Sequence, residues 1–527
     1  MASPEETAPK FNATLAILLA MAMFVLVVDT SIMNVSISAV VRDIGTTVSG
    51  VQSAIALEAL VSAAFILIGS KVGDLIGRKR AYVIGLLCYA AGAIAMTLTQ
   101  SLLPIIIFWA VVGGLGASLL LPSMQSLIHG NFEGEHQKRV YAFVGASAAI
   151  AAAVGPLIGG VITTFLSWRI AFLLEAIIIA IVLLGIKLVK DVPFTGVRRI
   201  DLVGSVLSVV GMGGIVIGIL VWQEGGGAVG ALIAVGLLGL GSLGYWLVRR
   251  KKAGKPTLLD PALFRAKAFR LGVSQQMLQQ IALGGSMIVL PIFFQMVLGY
   301  DALGAGLSIA PLSLSMFAVA LLVGRIDRGR PATLILFGFA LLTLGLVAII
   351  PIVPRAENGW ALALPLVVAG SGLGLLVSQL NNFTLSPISD ERVSEAAGVN
   401  SAAGSFGLSF GLAFAGAIML AGLSLIFTSM AMSSTVLPAD DKEHVAQVLE
   451  DDAQIMSDAQ LEELLADEPE DIQDEILRIN TEARPLALQI ALLIPIGAGA
   501  IGLINGFRIR RLPDPKPSGS GERMMLD

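Results

Sequence analysis

Three acids stand inside long apolar runs of the chain: Asp29, Glu58 and Glu175. A carboxylate in hydrocarbon costs about 3 kcal/mol on insertion scales, so such a residue faces a cavity or a partner and serves function. No Lys or Arg inside the same runs offers an obvious counter-ion. An acid so placed takes up a proton or a cationic substrate in turn, the simplest device for exchange. Glu58 sits roughly ten residues, about 15 Å at helical rise, from the N-terminal end of its run. Uncharged polar side chains recur in other runs, among them Asn34, Gln276, Gln280, Gln379 and Asn382. Gln276 and Gln280 are one helical turn apart on one face. These five are candidates to line a cavity; hydrogen bonding between helices explains them equally well.

Other chemistry is missing from the sequence. There is no phosphate-cradling GxxxxGK[ST], no Cys/His cluster and no nucleophile elbow. The single cysteine, Cys88, builds no disulfide framework. No cofactor, metal ion, nucleic-acid partner or enzymatic reaction is therefore expected, and energy must come from an ion gradient or from the substrate's own.

The elements that position these acids are membrane helices. The chain is 56% hydrophobic and 14% charged, with a mean hydropathy of +0.85, far from the roughly 25% charge of soluble domains. A span needs about 20 apolar residues, and fourteen runs qualify: about 13–36, 48–69, 81–99, 102–127, 140–164, 169–188, 201–222, 227–248, 271–298, 303–324, 331–353, 360–384, 397–428 and 485–507. Of the 34 Lys and Arg, all but Arg42, Arg169, Arg355, Lys442, Arg478 and Arg484 fall at the termini or in the even-numbered loops. By the positive-inside rule both termini are cytoplasmic. Acids gather on the opposite face, at 440–475, where apolar positions at helical spacing predict two short amphipathic helices in a solvated cap. A cation-attracting vestibule is the alternative reading.

Two charged turns echo one another. Residues 70–80 join spans 2 and 3 through Gly73, Asp74, Gly77, Arg78 and Lys79, and residues 324–330 close span 10 in a similar way. Such internal repetition is expected of transporters built from two bundles. Spans 7 and 8 have no repeat partner, so a six plus two plus six arrangement fits.

On these residues the chain resembles the major facilitator superfamily, in particular its fourteen-spanner drug:proton antiporters, along nearly its whole length. The turn at 70–80 is similar to the superfamily's conserved loop between helices 2 and 3, with Ser70 where a glycine is usual and Leu75 where a basic residue is usual. The resemblance implies that Gly73, Asp74, Gly77, Arg78 and Lys79 form a conformational latch between bundles. Gly155, Pro156, Gly159 and Gly160 match the core of the antiporter signature, with Ala151 replacing its leading glycine. Asp29 and Asn34 resemble the acidic motif of helix 1. Trp168, Arg169 and Phe172 resemble the start of helix 6, and Gln295, Gly299 and Tyr300 a motif of the second half. Span 4 departs from the pattern: Ala110 stands where the family carries an arginine implicated in proton coupling, and Gly113 where it carries a glutamine. Glu58 and Glu175 occupy positions of a usual tyrosine and asparagine.

The resemblance implies an all-α integral membrane protein of major facilitator fold, two six-helix bundles plus two additional transmembrane helices. The expected units are 1–190, 191–258, 259–511 with an acidic insert at about 430–484, and a tail at 512–527. The implied activity is proton-coupled efflux of amphipathic or cationic compounds by a monomer in a bacterial cytoplasmic membrane; the buried acids themselves add the expectation that Glu58 and Asp29 carry protons or substrate charge, with Glu175 assisting. Export or flipping of a lipid or lipid-linked metabolite is the alternative. A third class, a non-transporting scaffold or receptor presenting the acidic stretch, runs against the antiporter signature.

Overall fold

A backbone in hydrocarbon must satisfy its own N–H and C=O groups, and the apolar runs do so as helices. In the computed structural model these are α1 Ala13–Ile44, α2 Val48–Ile76, α3 Arg78–Leu98, α4 Gly114–Asn131, α5 Gly134–Phe165, α6 Trp168–Leu184, α7 Leu202–Gln223, α8 Val229–Lys252, α9 Lys267–Ile292, α10 Ala302–Arg325, α11 Pro331–Ile349, α12 Ala363–Leu385, α13 Val393–Ser433 and α14 Glu470–Arg510. The structure describes residues 12–132, 134–191, 200–223, 226–325, 330–388, 392–438, 442, 465 and 469–512. Among them there is no strand, and thirteen helical stretches are long and apolar enough to cross a membrane. Trp168–Leu184, with 17 residues, falls just short. Most of 440–475, where two amphipathic helices are expected, and most of the echo at 324–330 fall outside the described residues.

Helix limits follow from local chemistry. Asn12 caps α1 by accepting from the Leu15 N–H at 3.0 Å, and Thr47 caps α2 by accepting from Gly50 at 3.0 Å. Gly77, at φ 100, joins α2 to α3 in a single residue, a conformation that only glycine adopts freely. A π-helical segment, Ile105–Gly113, precedes α4 and re-aims its side chains relative to α-helical register.

The first six helices pack through α1 on α5 and α6, α2 on α4, and α3 on α4 and α6. The last six pack through α9 on α13 and α14, α10 on α12, and α11 on α12 and α14. Two seams join the sets, α5 against α10 and α2 against α13, and α7 lies on the second seam, touching both of its helices. At one end of the helices lie Arg78, Lys79 and the Arg249–Lys252 cluster; this is the basic end. The other, acidic end carries Asp43, Asp301 and the start of α14.

Asp201, 2% exposed, organises the central pair at the basic end. Its carboxylate accepts from the Gly204 N–H at 3.1 Å, the Trp246 indole at 3.0 Å and the Leu258 N–H at 3.3 Å, tying α7, α8 and the following linker together. Asp201→Ala orphans these buried donors and should cost about 2–4 kcal/mol. The check is a lower thermal unfolding midpoint in detergent, with Asp201→Asn falling in between.

At 41 residues each, α13 and α14 are about 60 Å long, twice the hydrocarbon thickness. The charged start of α14 therefore projects beyond the acidic end, where Phe427 and Ala431 pack on Ile476, Ile479 and Ala483. There Glu475 accepts from Arg478 at 2.9 Å through both carboxylate oxygens, and from the Ser434 hydroxyl. The Arg478 hydrogen bonds, then the Ser434 one, hold its carboxyl down at about 2 against a usual 4.5. A depressed carboxyl contributes stability above its unfolded value and loses it as pH falls through the folded one. Hydrogen exchange over 470–484 should thus stay slow at pH 5 and accelerate between about 4.5 and 2.

Candidate functional site

Asp29 of α1 is 1% exposed. Its carboxylate accepts from the Tyr89 hydroxyl of α3 at 2.5 Å and from the Trp109 indole N–H at 2.9 and 3.0 Å. Trp109 stands in the π-helical segment, one residue before Ala110. A neutral donor thus reaches Asp29 from the residue next to the position where an arginine was expected.

The other two acids join it. Glu58 of α2 is buried, and α4 reaches its backbone through Gly114, whose added Cβ would lie 2.8 Å from the Glu58 carbonyl oxygen. Glu175 of α6 is 2% exposed, on the face that carries Trp168, Phe172 and Ile179. Asp29, Glu58 and Glu175 all lie within electrostatic reach of the Tyr89 hydroxyl, and Asp29 is the charged neighbour of both glutamates. Among the described residues no salt bridge compensates any of the three. Phe172 closes the site with its edge towards Trp109 at 6.4 Å and Trp168 at 6.1 Å. The Trp168 indole in turn donates to Asp43 at 2.9 Å, and Arg169 also binds that carboxylate. Three sequence-distant acids thus form one buried cluster inside the first six helices, in which Asp29 is hydrogen-bonded and both Glu175 carboxylate oxygens are unpartnered; carboxyls so clustered can share protons or meet a cation.

Tyr89 and Trp109 were missed by sequence reasoning. The available signal was their chemistry: a buried Tyr or Trp usually finds a partner for its polar tip, and tyrosine and tryptophan number only five each here.

The turn at 70–80 is built tightly. Asp74 and Arg78, both buried, form an ion pair across the α2–α3 junction. The Lys79 N–H donates to Asp191 at 3.0 Å and its ammonium to the Val189 carbonyl at 2.7 Å. Asp191 also crowds Gly77, where an added Cβ would lie 3.0 Å from its carboxylate. These contacts brace α2 and α3 against the segment after α6, all within the first set of helices. Gly73 packs on Arg78 and the Ser123 hydroxyl.

In the antiporter signature two edges of α5 face two partners. Gly155 and Gly159 meet Ser31 and Ile32 of α1; Pro156 and Gly160 meet Gly306 and Ala302 of α10. Gln276 and Gln280 are brought together beside Gly404 of α13. Gln379 is half-buried and donates to Ser378 at 3.4 Å, and Asn382 is exposed in the last turn of α12. Asn34 is 4% exposed, with its side-chain oxygen unpartnered.

Known proteins place this arrangement in a family. The chain is 28% identical over 407 residues to the multidrug resistance protein Stp of Mycobacterium tuberculosis (strain CDC 1551 / Oshkosh), covering 76% of this chain and 75% of the relative. It is 30% identical over 425 residues to the cephamycin export protein CmcT of Amycolatopsis lactamdurans, covering 77% and 85%. The fold matches a bacterial homolog of the human lysosomal transporter Spinster with a TM-score of 0.61 at 11% identity, over 95% of this chain and 98% of that one. The peptide transporter POT, in complex with sulfate, matches with a TM-score of 0.58 at 15% identity, over 95% and 96%. Residues 19–412 match the family model described as Major Facilitator Superfamily. A multi-pass helical protein with this fold and this match is a membrane transporter, not an enzyme, and the chain belongs to the Major Facilitator Superfamily.

Proposed function

We propose that this transporter exports amphipathic or cationic compounds in exchange for protons by alternating access. The observation that carries the reading is the convergence of Asp29, Glu58 and Glu175 in one buried cluster without a basic partner among the described residues. Such a cluster is favourable when it holds protons or a cation and unfavourable when fully ionised. Occupancy by one therefore competes with occupancy by the other, which is the thermodynamic requirement for exchange. Tyr89 and Trp109 orient Asp29 through neutral donors and leave its charge uncompensated, whereas an arginine would cancel it.

In this reading the basic end is cytoplasmic, Trp168–Leu184 completes fourteen spans, and both termini face the cytoplasm of a bacterial cell whose inner membrane holds the protein as a monomer. The units run 1–190, 191–258 and 259–511, with the acidic insert at about 430–484 on the outer face. The turn carrying Gly73, Asp74, Gly77, Arg78 and Lys79 is the latch, and Asn34, Gln276, Gln280, Gln379 and Asn382 face the substrate path. The relatives named for multidrug resistance and cephamycin export support export of small molecules.

Transport in proteoliposomes under an imposed pH gradient tests this. A cationic dye should accumulate when the gradient is present and equilibrate when it is collapsed. Dye movement that ignores the gradient rejects proton exchange, and movement of labelled lipid alone assigns the cluster to a lipid.

A further inference from the structure

A polar cavity lies at the acidic end, on the seam between the two helix sets and apart from the acid cluster. Its volume is about 190 Å³. Ser38, Arg42 and Thr164 line it from the first set, and Gln295, Tyr300 and Asp301 from the second. Two polar atoms on its lining residues are buried and have no partner: the Gln295 amide nitrogen and the Ser38 hydroxyl, on residues 7% and 8% exposed. Buried polar groups in native proteins are nearly always satisfied, so an orphaned pair on the residues that line one cavity points to something that fills it. The Gln295 carbonyl oxygen is already used, accepting from the Ser38 N–H at 3.4 Å. Its amide N–H therefore remains for a ligand acceptor.

The mouth carries both signs of charge. Arg42 and Asp301 are exposed there. Tyr300 accepts from the Gly359 N–H at 3.1 Å and Thr164 from the Leu303 N–H at 3.1 Å, which leaves each hydroxyl proton to donate. Asp301 caps α10 by accepting from Gly304 at 2.7 Å and keeps a second carboxylate oxygen. A guanidinium and a carboxylate at one mouth cancel at long range, so a lone ion gains little from the site. A molecule bearing one charge of each sign can pair with both.

We propose that this cavity binds a small zwitterion of the amino-acid class, with its ammonium and carboxylate at Asp301 and Arg42 and an uncharged polar end at Gln295 and Ser38. Because the two walls belong to different helix sets, the bound molecule bridges the seam and holds the acidic end shut. Added on that side, it inhibits transport. The inhibition rests on alternating access as proposed above; the binding does not.

The test uses purified full-length protein and L-glutamine as the probe. Equilibrium dialysis should show saturable binding in the millimolar range. Tenfold higher acetate or methylammonium should fail to displace it. Arg42→Gln and Asp301→Asn, both at the exposed mouth, should each weaken binding at least about tenfold, as loss of a charge-assisted contact does. In proteoliposomes, L-glutamine on the acidic side should slow dye export by the wild type and leave the Arg42→Gln protein unaffected. The proposal is overturned if wild-type protein binds no L-glutamine, in which case the cavity holds water only. It is equally overturned if acetate or methylammonium displaces the probe, or if both mouth variants bind as tightly as wild type. Should the dye not be transported at all, dialysis still decides the site.

Discussion

Glu58→Gln should lower gradient-driven export at least about tenfold, towards the leak rate, while the protein still folds and still exchanges substrate at equal pH. Glutamine keeps the shape and hydrogen-bonding capacity of a protonated glutamate but has no proton to release. Glu58 is the acid on which this contrast is cleanest. No hydrogen bond to its carboxyl is seen among the described residues, and its charged neighbour is Asp29, another acid. Asp29, by comparison, is held by Tyr89 and Trp109, so its replacement also orphans two donors and mixes a structural cost with a functional one. Unchanged gradient-driven export by Glu58→Gln, measured in proteoliposomes against equal-pH exchange, would remove Glu58 from the proton path.

Gly160→Val and Gly306→Val should each prevent the acidic end from closing. A Cβ on Gly160 would stand 2.6 Å from the Ala302 carbonyl oxygen and 2.9 Å from the Leu303 Cα; one on Gly306 would stand 2.4 Å from the Pro156 carbonyl oxygen. The obstacles are backbone atoms, which cannot rotate away as a side-chain tip can. Both helices must separate, and overpacking of this kind costs about 1–3 kcal/mol. Because the clash exists only where α5 and α10 cross, the whole penalty falls on the closed state. A shift of about 3 kcal/mol moves a two-state equilibrium by roughly a hundredfold. Export should drop accordingly, and a cysteine placed at Ala39, beside the outer cavity, should become more reactive to a water-soluble thiol reagent. Wild-type reactivity at that site in both variants would show that the crossing does not control closure.

The two predictions differ in how far the sequence alone could have reached them. Asp29, Glu58 and Glu175 were legible because a charge in an apolar run is conspicuous against its neighbours, and the cost of burying it makes function the expected reason. The glycines of the antiporter signature were legible as a pattern, but their partners were not. Gly160 meets Ala302 and Gly306 meets Pro156, contacts between positions well over a hundred residues apart that no local periodicity encodes. The turn at 70–80 was legible down to the need for glycine at Gly77. Its bracing partners Val189 and Asp191 were not, since nothing local joins residue 79 to residue 191.

The sequence by itself determined which segments enter the membrane, which acids the bilayer tolerates only for a purpose, and how basic residues divide between the loops. These are consequences of solvation, which acts on each segment separately. Only the tertiary structure decided that Asp29 meets one tyrosine and one tryptophan and that Glu58 and Glu175 stand near it. In soluble helices the buried face can be read from hydrophobic periodicity, but a membrane helix is apolar on the face that meets lipid and on the face that meets protein. Pattern therefore gives the span and withholds its rotation. The π-helical segment at Ile105–Gly113 adds a local change of register, and that change helps bring Trp109 to Asp29 beside the site of the missing arginine.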